Sequence, residues 1–95
     1  MIRPLLFAVA MLSATPAVAN YFRAEPVAAP SRDRFAARDN AWTCAGTACV
    51  SARSGVRPTI VCATLAREVG RLNSFSVEGR AFTAEELEAC NARAR

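Results

Sequence analysis

The sequence predicts a small α+β domain, ordered β-hairpin, helix, short β-hairpin and helix, which disulfide bonds hold together. Three observations carry this prediction: an alternating segment interrupted by glycine at residues 42–51, apolar residues at helical spacing from Pro58, and a helix-capping motif at Thr83. The predicted domain spans residues 35–95. Because roughly 100–200 residues make one domain, a chain of 95 residues has room for one.

Residues 1–19 have the features of a signal peptide. Arg3 precedes the unbroken apolar run 5–12, and residues 17–19 form an A-x-A cleavage site before Asn20. The apolar run is too short for a membrane anchor, which needs about 20 residues. We therefore expect cleavage after Ala19, no transmembrane span in the cleaved chain, and a periplasmic or secreted protein.

Residues 20–34 predict a flexible linker. Two prolines and scattered charges leave no sustained period of two or about 3.6 residues. Tyr21, Phe22 and Phe35 are the apolar residues in or beside this stretch that could dock on the domain.

The first hairpin is predicted on either side of Gly46. Residues 42–44 and 49–51 flank a four-residue gap, whose glycine is free to adopt a positive φ. If Cys44 lies opposite Cys49, strand alternation places both cysteines on one face. Trp42 and Ser51 are then predicted on that same face.

The first helix is predicted to begin at Pro58, where a missing N–H is tolerated, and to end at Gly70 in the left-handed conformation. At about 100° per residue, one arc of this helix collects the apolar side chains that face the core. This stripe consists of Pro58, Val61, Cys62, Leu65, Val69 and Leu72. The predicted outer face includes Ile60, Ala63, Arg67 and Arg71.

The last third of the chain predicts a short hairpin, with its turn at residues 78–79, followed by a second helix. Thr83 and Glu86 have the spacing of a capping box, in which the hydroxyl accepts a backbone N–H and the carboxylate reaches back. Arg93 and Arg95 are expected to offset the negative end of this helix.

The four cysteines are expected to form two disulfides, because export places thiols in an oxidising compartment. Four cysteines allow three pairings, and spacing does not choose among them. The predicted faces favour Cys44–Cys49 across the hairpin and Cys62–Cys90 between the two helices.

Two alternative roles for the cysteines are weighed against disulfides. One is a zinc site built from all four cysteines, but such sites normally combine two close pairs. The other is a catalytic dithiol, but such pairs favour C-x-x-C at the start of a helix.

The composition excludes several kinds of catalytic site. The chain has no histidine, which removes Ser–His–Asp and Cys–His catalysis and histidine-ligated zinc or haem iron. Acid–base cleavage of glycosides requires carboxylates that face each other across a cleft, and a domain this small can hardly enclose one. We therefore expect a protein that is not an enzyme and that has no cofactor and no metal site.

All twelve basic residues are arginine, against eight acidic residues and a formal charge of +4. Losing residues 1–19 removes one arginine and no acid, which leaves eleven arginines and +3. The candidate anion- or partner-binding residues surround the first helix: Arg53, Arg57, Arg67 and Arg71. They form either an ordinary solvated surface or a patch for acidic lipids, acidic glycans or carboxylates of another protein. Nucleic acid is not an expected partner, because the charge is modest and aromatic stacking positions are few.

Several short motifs occur in order along residues 35–91. They are W-x-C-x4-C from Trp42, Arg57-Pro58 with Val61-Cys62, Leu65-Ala66-Arg67, Gly70-x-Leu72-x-x-Phe75, and Leu87-x-x-Cys90-Asn91. Together they resemble a family of small exported bacterial proteins whose function is not known. The resemblance implies a location in the cell envelope and brings no catalytic residue with it.

The leading hypothesis is a non-catalytic binding or accessory protein of the cell envelope, whose partner is an envelope protein or another acidic surface. A fold of this size has to act through its surface. Two alternatives stay open, a thiol–disulfide exchange enzyme and a peripheral protein that binds anionic membranes.

Overall fold

A computed structural model describes residues 20–95, and the predicted signal peptide, residues 1–19, lies outside the described residues. The strands are β1 (Phe22–Pro26), β2 (Arg34–Ala37), β3 (Asn40–Ala45), β4 (Ala48–Ser51), β5 (Leu72–Val77) and β6 (Arg80–Ala81), and the helices are α1 (Pro58–Val69) and α2 (Ala84–Asn91). In this part of the chain the strands form one sheet, in the order β2-β3-β4-β1-β5-β6, with every neighbouring pair antiparallel. The predicted α+β class is confirmed, as is the order hairpin, helix, hairpin, helix from β3 onwards.

The core lies between one face of the sheet and the helices. Along β1 and β3 the residues alternate strictly between buried and exposed, so one face of these strands is covered and the other meets solvent. Phe22, Trp42 and Phe75 are almost fully buried on the covered face. From the helices, Cys62 and Leu65 of α1 reach the same core with no exposed surface. α1 contacts β2 and β5, and α2 packs on α1 and β5.

The prediction of a flexible linker over residues 20–34 is wrong, and the domain begins well before residue 35. β1 lies near the middle of the sheet, where Phe22 faces Ser51 of β4 on one side and Val77 of β5 on the other. Phe22 and Ala24 are buried, while the charged residues between and after them are exposed. Five residues make too short an alternation to stand out, and the strands that fix β1 come much later in the chain.

β2 also overlaps the predicted linker. It forms an edge hairpin with β3, in which Ala37 faces Asn40 across a turn at residues 38–39. The loop before β2 is tied to the sheet, because the Asp33 carbonyl accepts a hydrogen bond from the Cys44 amide at 2.7 Å. Chain segments on both sides of residue 30 therefore belong to the folded domain.

The first predicted hairpin is confirmed as β3–β4, with a tighter turn than expected. Pairing continues to Ala45 opposite Ala48, so the loop has two residues rather than four. Gly46 has a φ of 63°, the conformation for which glycine is suited. The four residues predicted to share one face are all buried: Trp42, Cys44, Cys49 and Ser51.

α1 begins at Pro58, as predicted, and Gly70 ends it. Gly70 has φ 94° and ψ −169°, so its φ is positive but its conformation is not the left-handed helical one that was expected. Its amide donates to the Ala66 carbonyl at 2.8 Å. Leu72 does not belong to the helical stripe, because it begins β5 and is buried there. Ala66, which the predicted stripe omits, is one of the four buried residues of α1.

α2 begins with the predicted capping box. The Thr83 hydroxyl accepts from the Glu86 amide at 3.1 Å, and the Glu86 carboxylate accepts from the Thr83 amide at 2.8 Å. α2 ends at Asn91, and no basic residue occupies its last turn. Arg93 and Arg95 follow the end of α2, and their expected effect on its negative end stays a prediction.

A buried asparagine ties the end of α2 to the start of β5. The Asn91 side chain accepts a hydrogen bond from the Leu72 amide at 2.8 Å and donates one to the Leu72 carbonyl at 2.9 Å. β6 pairs only with Ser76 and Val77, which leaves the start of β5 without a strand on that side. The side-chain amide of Asn91 therefore makes the two hydrogen bonds to Leu72 that a neighbouring strand would otherwise make.

Candidate functional site

Both disulfide bonds lie inside the fold. Cys44–Cys49 joins opposed residues of β3 and β4 with a Cα–Cα distance of 4.0 Å, and Cys62–Cys90 joins α1 to α2 with a Cα–Cα distance of 5.7 Å. None of the four cysteines is free, so the predicted pairing is confirmed. The exposed fraction is at most 5% for each of the four residues, so a thiol in solvent has little access to them.

The four arginines predicted as a binding patch occupy different positions around α1, and a shared binding role for them stays a prediction. The guanidinium carbon of Arg53 lies 5.6 Å from the centre of the Tyr21 ring, a cation–π arrangement. Arg57 is the residue that precedes α1. Arg71 follows that helix and forms an exposed ion pair with Glu88 at 3.7 Å. Arg53 and Arg71 therefore each have a contact of their own.

The fourth of these residues, Arg67, lines an open groove between α1 and α2. The groove has a volume of about 640 Å³. Its floor consists of small or apolar residues from both helices: Ile60, Ala63, Ala89 and Cys90. Thr59 and Thr64 add hydroxyl groups on the α1 side. Residues three and four apart share one face of a helix, which is why these α1 residues and Arg67 form one wall.

Arginines gather at one end of this groove. Arg67 and Arg93, which follows α2, line it together with Arg38 from the turn between β2 and β3. An adjoining depression is lined by Arg38, Arg67 and Arg95, along with Glu68. We call the four residues Arg38, Arg67, Arg93 and Arg95 the arginine end.

The tight turn between β2 and β3 places Arg38 beside α1. Arg38 has a φ of 57°, in a region that few residues other than glycine adopt. Ala37 before the turn is buried and pairs with Asn40 after it. The Asn40 side chain is held in turn by a hydrogen bond of 2.9 Å to the Ser51 hydroxyl. The turn is therefore fixed at both of its ends.

The groove is positive at one end and negative at the other. Across residues 20–95 the one ion pair is Arg71–Glu88, so no guanidinium group of the arginine end lies within ion-pair distance of a carboxylate. Arginine stays protonated at any physiological pH. Glu85 and Glu86 line the groove at the first turn of α2, and the Glu86 carboxylate is engaged in the capping box with Thr83.

Sequence reasoning identifies Arg67 as a candidate but not its three companions. The β2–β3 turn, α1 and the residues after α2 are far apart in the chain and meet only when it folds. The sequence prediction assigns Arg93 and Arg95 to the end of α2 and does not single out Arg38. No local pattern connects these residues, so no signal in the sequence indicates the site.

The chemistry of the groove suits an acidic group beside an apolar one. Guanidinium groups form paired hydrogen bonds to carboxylates, phosphates and sulfates, and the floor offers an apolar contact. Within residues 20–95, three or more side chains of the types that ligate metals do not come together anywhere. Over the same residues, every helix is too short or too polar to cross a membrane.

Comparison with known proteins places the chain in a family. Neither the curated proteins nor the solved structures contain a match to it. The family match extends further towards the N-terminus than the motif resemblance over residues 35–91, so it includes β1 and β2. Residues 5–92 match the model of the family of unknown function DUF8200, and the chain therefore belongs to that family.

Proposed function

We propose that this chain is an exported, disulfide-bonded binding protein of the bacterial cell envelope, which recognises an acidic partner through the groove between α1 and α2 and catalyses no reaction. The observation that carries the proposal is the arginine end. Its four guanidinium groups come from three separate places in the chain, have no carboxylate partner among residues 20–95 and lie beside an apolar floor. Arginine is enriched in protein-binding sites relative to the rest of a protein surface.

Export is supported by the leader sequence and is compatible with the fold. β1 begins at Phe22, shortly after the predicted cleavage site at Ala19, so removal of residues 1–19 leaves every strand of the described sheet intact. Two disulfides suit an oxidising compartment. The envelope location itself rests on the motif resemblance over residues 35–91.

The alternative of thiol–disulfide exchange has less support. Exchange requires a thiolate to attack a disulfide sulfur, and reactive pairs are normally exposed at a helix start. Here both bridges are buried, with Cys62 fully enclosed and Cys49 1% exposed. A structural role for both bridges follows as part of the proposal.

Charge reversal tests the binding function. The R67E/R93E variant reverses two charges of the arginine end, and the R23E/R34E variant makes the same change in charge on exposed residues of the sheet. We expect one defined envelope protein to cross-link to the wild type and to R23E/R34E, and at least about tenfold less to R67E/R93E. Equal capture by all three forms, or no capture at all, would contradict the proposal.

Mass spectrometry and alkylation of the native protein test its export and its lack of redox activity. We expect a chain that begins at Asn20, with all four cysteines oxidised. Alkylation should add mass only after denaturation in the presence of a reductant, because the folded chain shields both bridges. If a mild reductant opened one of the disulfides in the folded protein, thiol–disulfide exchange would be the favoured function instead.

A further inference from the structure

We infer that the occupant of the groove is an acidic amphipathic helix of a partner protein, which lies between α1 and α2 with its apolar face on the floor and its carboxylates at the arginine end. The inference rests on the proposed binding function and specifies the chemistry of the partner.

The floor of the groove suits the close approach of a third helix. Ala63 of α1 and Ala89 of α2 both line it, and small side chains let a neighbouring helix pack at the usual axial distance of about 8–10 Å. Ile60 provides the larger apolar contact on the floor. The groove is open to solvent, whereas a site for a small molecule usually surrounds most of its ligand.

The length of the groove corresponds to about two turns of a helix. Its wall on α1 extends from Thr59 to Arg67, and its other wall extends from Glu85 to Arg93. At a rise of about 1.5 Å per residue, the wall on α1 is roughly 12 Å long. A helix that contacts a groove of this length needs apolar residues at three or four positions, spaced three and four residues apart.

The charges of the groove determine where the carboxylates of the occupant lie. Within the described chain the guanidinium groups of the arginine end are unpaired, and each can bind a carboxylate with two hydrogen bonds. Glu85 and Glu86 repel further carboxylates at the opposite end. The occupant is therefore expected to be acidic along the half that lies at the arginine end and neutral or basic along the other half.

Two other occupants fit the described surface less well. A membrane surface would require exposed apolar side chains for insertion, but the large apolar residue exposed in residues 20–95 is Val27, which is not part of the groove. The α2 helix of a second copy is acidic as well. However, its Glu86 and Glu88 already have partners within their own protomer, in the capping box and on Arg71.

Fluorescence anisotropy with a designed peptide tests the inference. The probe is a labelled synthetic helix of about 16 residues, with leucine at every third or fourth position and glutamates in one half. Its controls are a peptide of the same composition in scrambled order, polyglutamate, and vesicles that contain an anionic phospholipid. The protein forms are the wild type, R67E/R93E, R23E/R34E, and Ala89→Trp, which fills the exposed floor of the groove. Circular dichroism confirms that each variant is folded.

We expect the helical probe to bind the wild type and R23E/R34E equally, and to bind R67E/R93E and Ala89→Trp at least about tenfold more weakly. The scrambled peptide should lose binding, because it cannot place its leucines on one face. Equal binding of polyglutamate or of the anionic vesicles would overturn the helical occupant. The inference would also be overturned if the wild type sedimented as a dimer and R67E/R93E as a monomer, because a second copy would then occupy the groove. If the probe fails while R67E/R93E still abolishes cross-linking to the envelope partner, the inference fails and the proposed function stands.

Discussion

The β3–β4 hairpin contains one disulfide and the other joins helix α2 to α1, and we expect the two elements to depend on their bridges to different degrees. The hairpin is paired with β2 on one side and β1 on the other, and it buries Trp42 in the core. α2 buries only Cys90 and Asn91 and leaves most of its surface in solvent. The hairpin bridge joins residues that are five apart, and the helix bridge joins residues that are 28 apart. A covalent link therefore matters most for the element that has the fewest other contacts.

Removing each bridge in turn is the strongest test of this comparison. We expect C62A/C90A to lower the free energy of unfolding by about 3.5 kcal/mol and C44A/C49A by about 2 kcal/mol, because the longer loop restricts the unfolded chain more. The measurement is urea or thermal unfolding followed by circular dichroism. Equal stability of the two double variants, or greater loss in the hairpin variant, would show that local pairing does not substitute for a bridge.

The Asn91 side chain is the second attachment of α2, and its removal should have an intermediate effect. Asn91→Ala leaves the buried amide and carbonyl of Leu72 without partners, which we expect to cost about 2–3 kcal/mol of unfolding free energy. Asn91→Asp keeps the acceptor but places a carboxylate against the Leu72 carbonyl, so it should not restore stability. Asn73→Ala, on the exposed side of β5, is the matched control and should change stability little. A neutral Asn91→Ala would mean that the disulfide alone holds α2.

The capping box should make the smallest contribution of the three. Thr83→Ala removes the acceptor for the Glu86 amide and should lower the unfolding free energy by about 1 kcal/mol. Thr83→Ser retains a hydroxyl and should preserve most of that stability. Both are measured by the midpoint of urea unfolding. A loss as large as that of Asn91→Ala would indicate that the start of α2, rather than its end, fixes the helix.

The elements that could be predicted from the sequence are those fixed by residues close together in the chain. The start of α2 follows from the spacing of Thr83 and Glu86, and the start of α1 follows from Pro58, because the hydrogen bonds or backbone restrictions involved lie within a few residues. The disulfide pairing was predictable for a related reason. Strand and helix periodicity determine which face each cysteine occupies, even when the cysteines are distant in sequence.

The elements that could not be predicted are those fixed by residues far away in the chain. β1 is a strand because β4 and β5 pair with it on both sides, and nothing in the residues 22–26 reveals those partners. The arginine end has the same origin, since Arg38, Arg67 and Arg93 come together only through tertiary folding. The site is therefore less visible in the sequence than the covalent framework that supports it.

The position of β1 also constrains the order in which the molecule is built. A chain that emerges N-terminus first, from a ribosome or from a translocation channel, releases Phe22 early but has to wait for Val77 before β1 has a strand on each side. Pairings so distant in the chain form slowly, because a long loop has to close first. The newly released polypeptide thus cannot complete its sheet until nearly all of it has appeared.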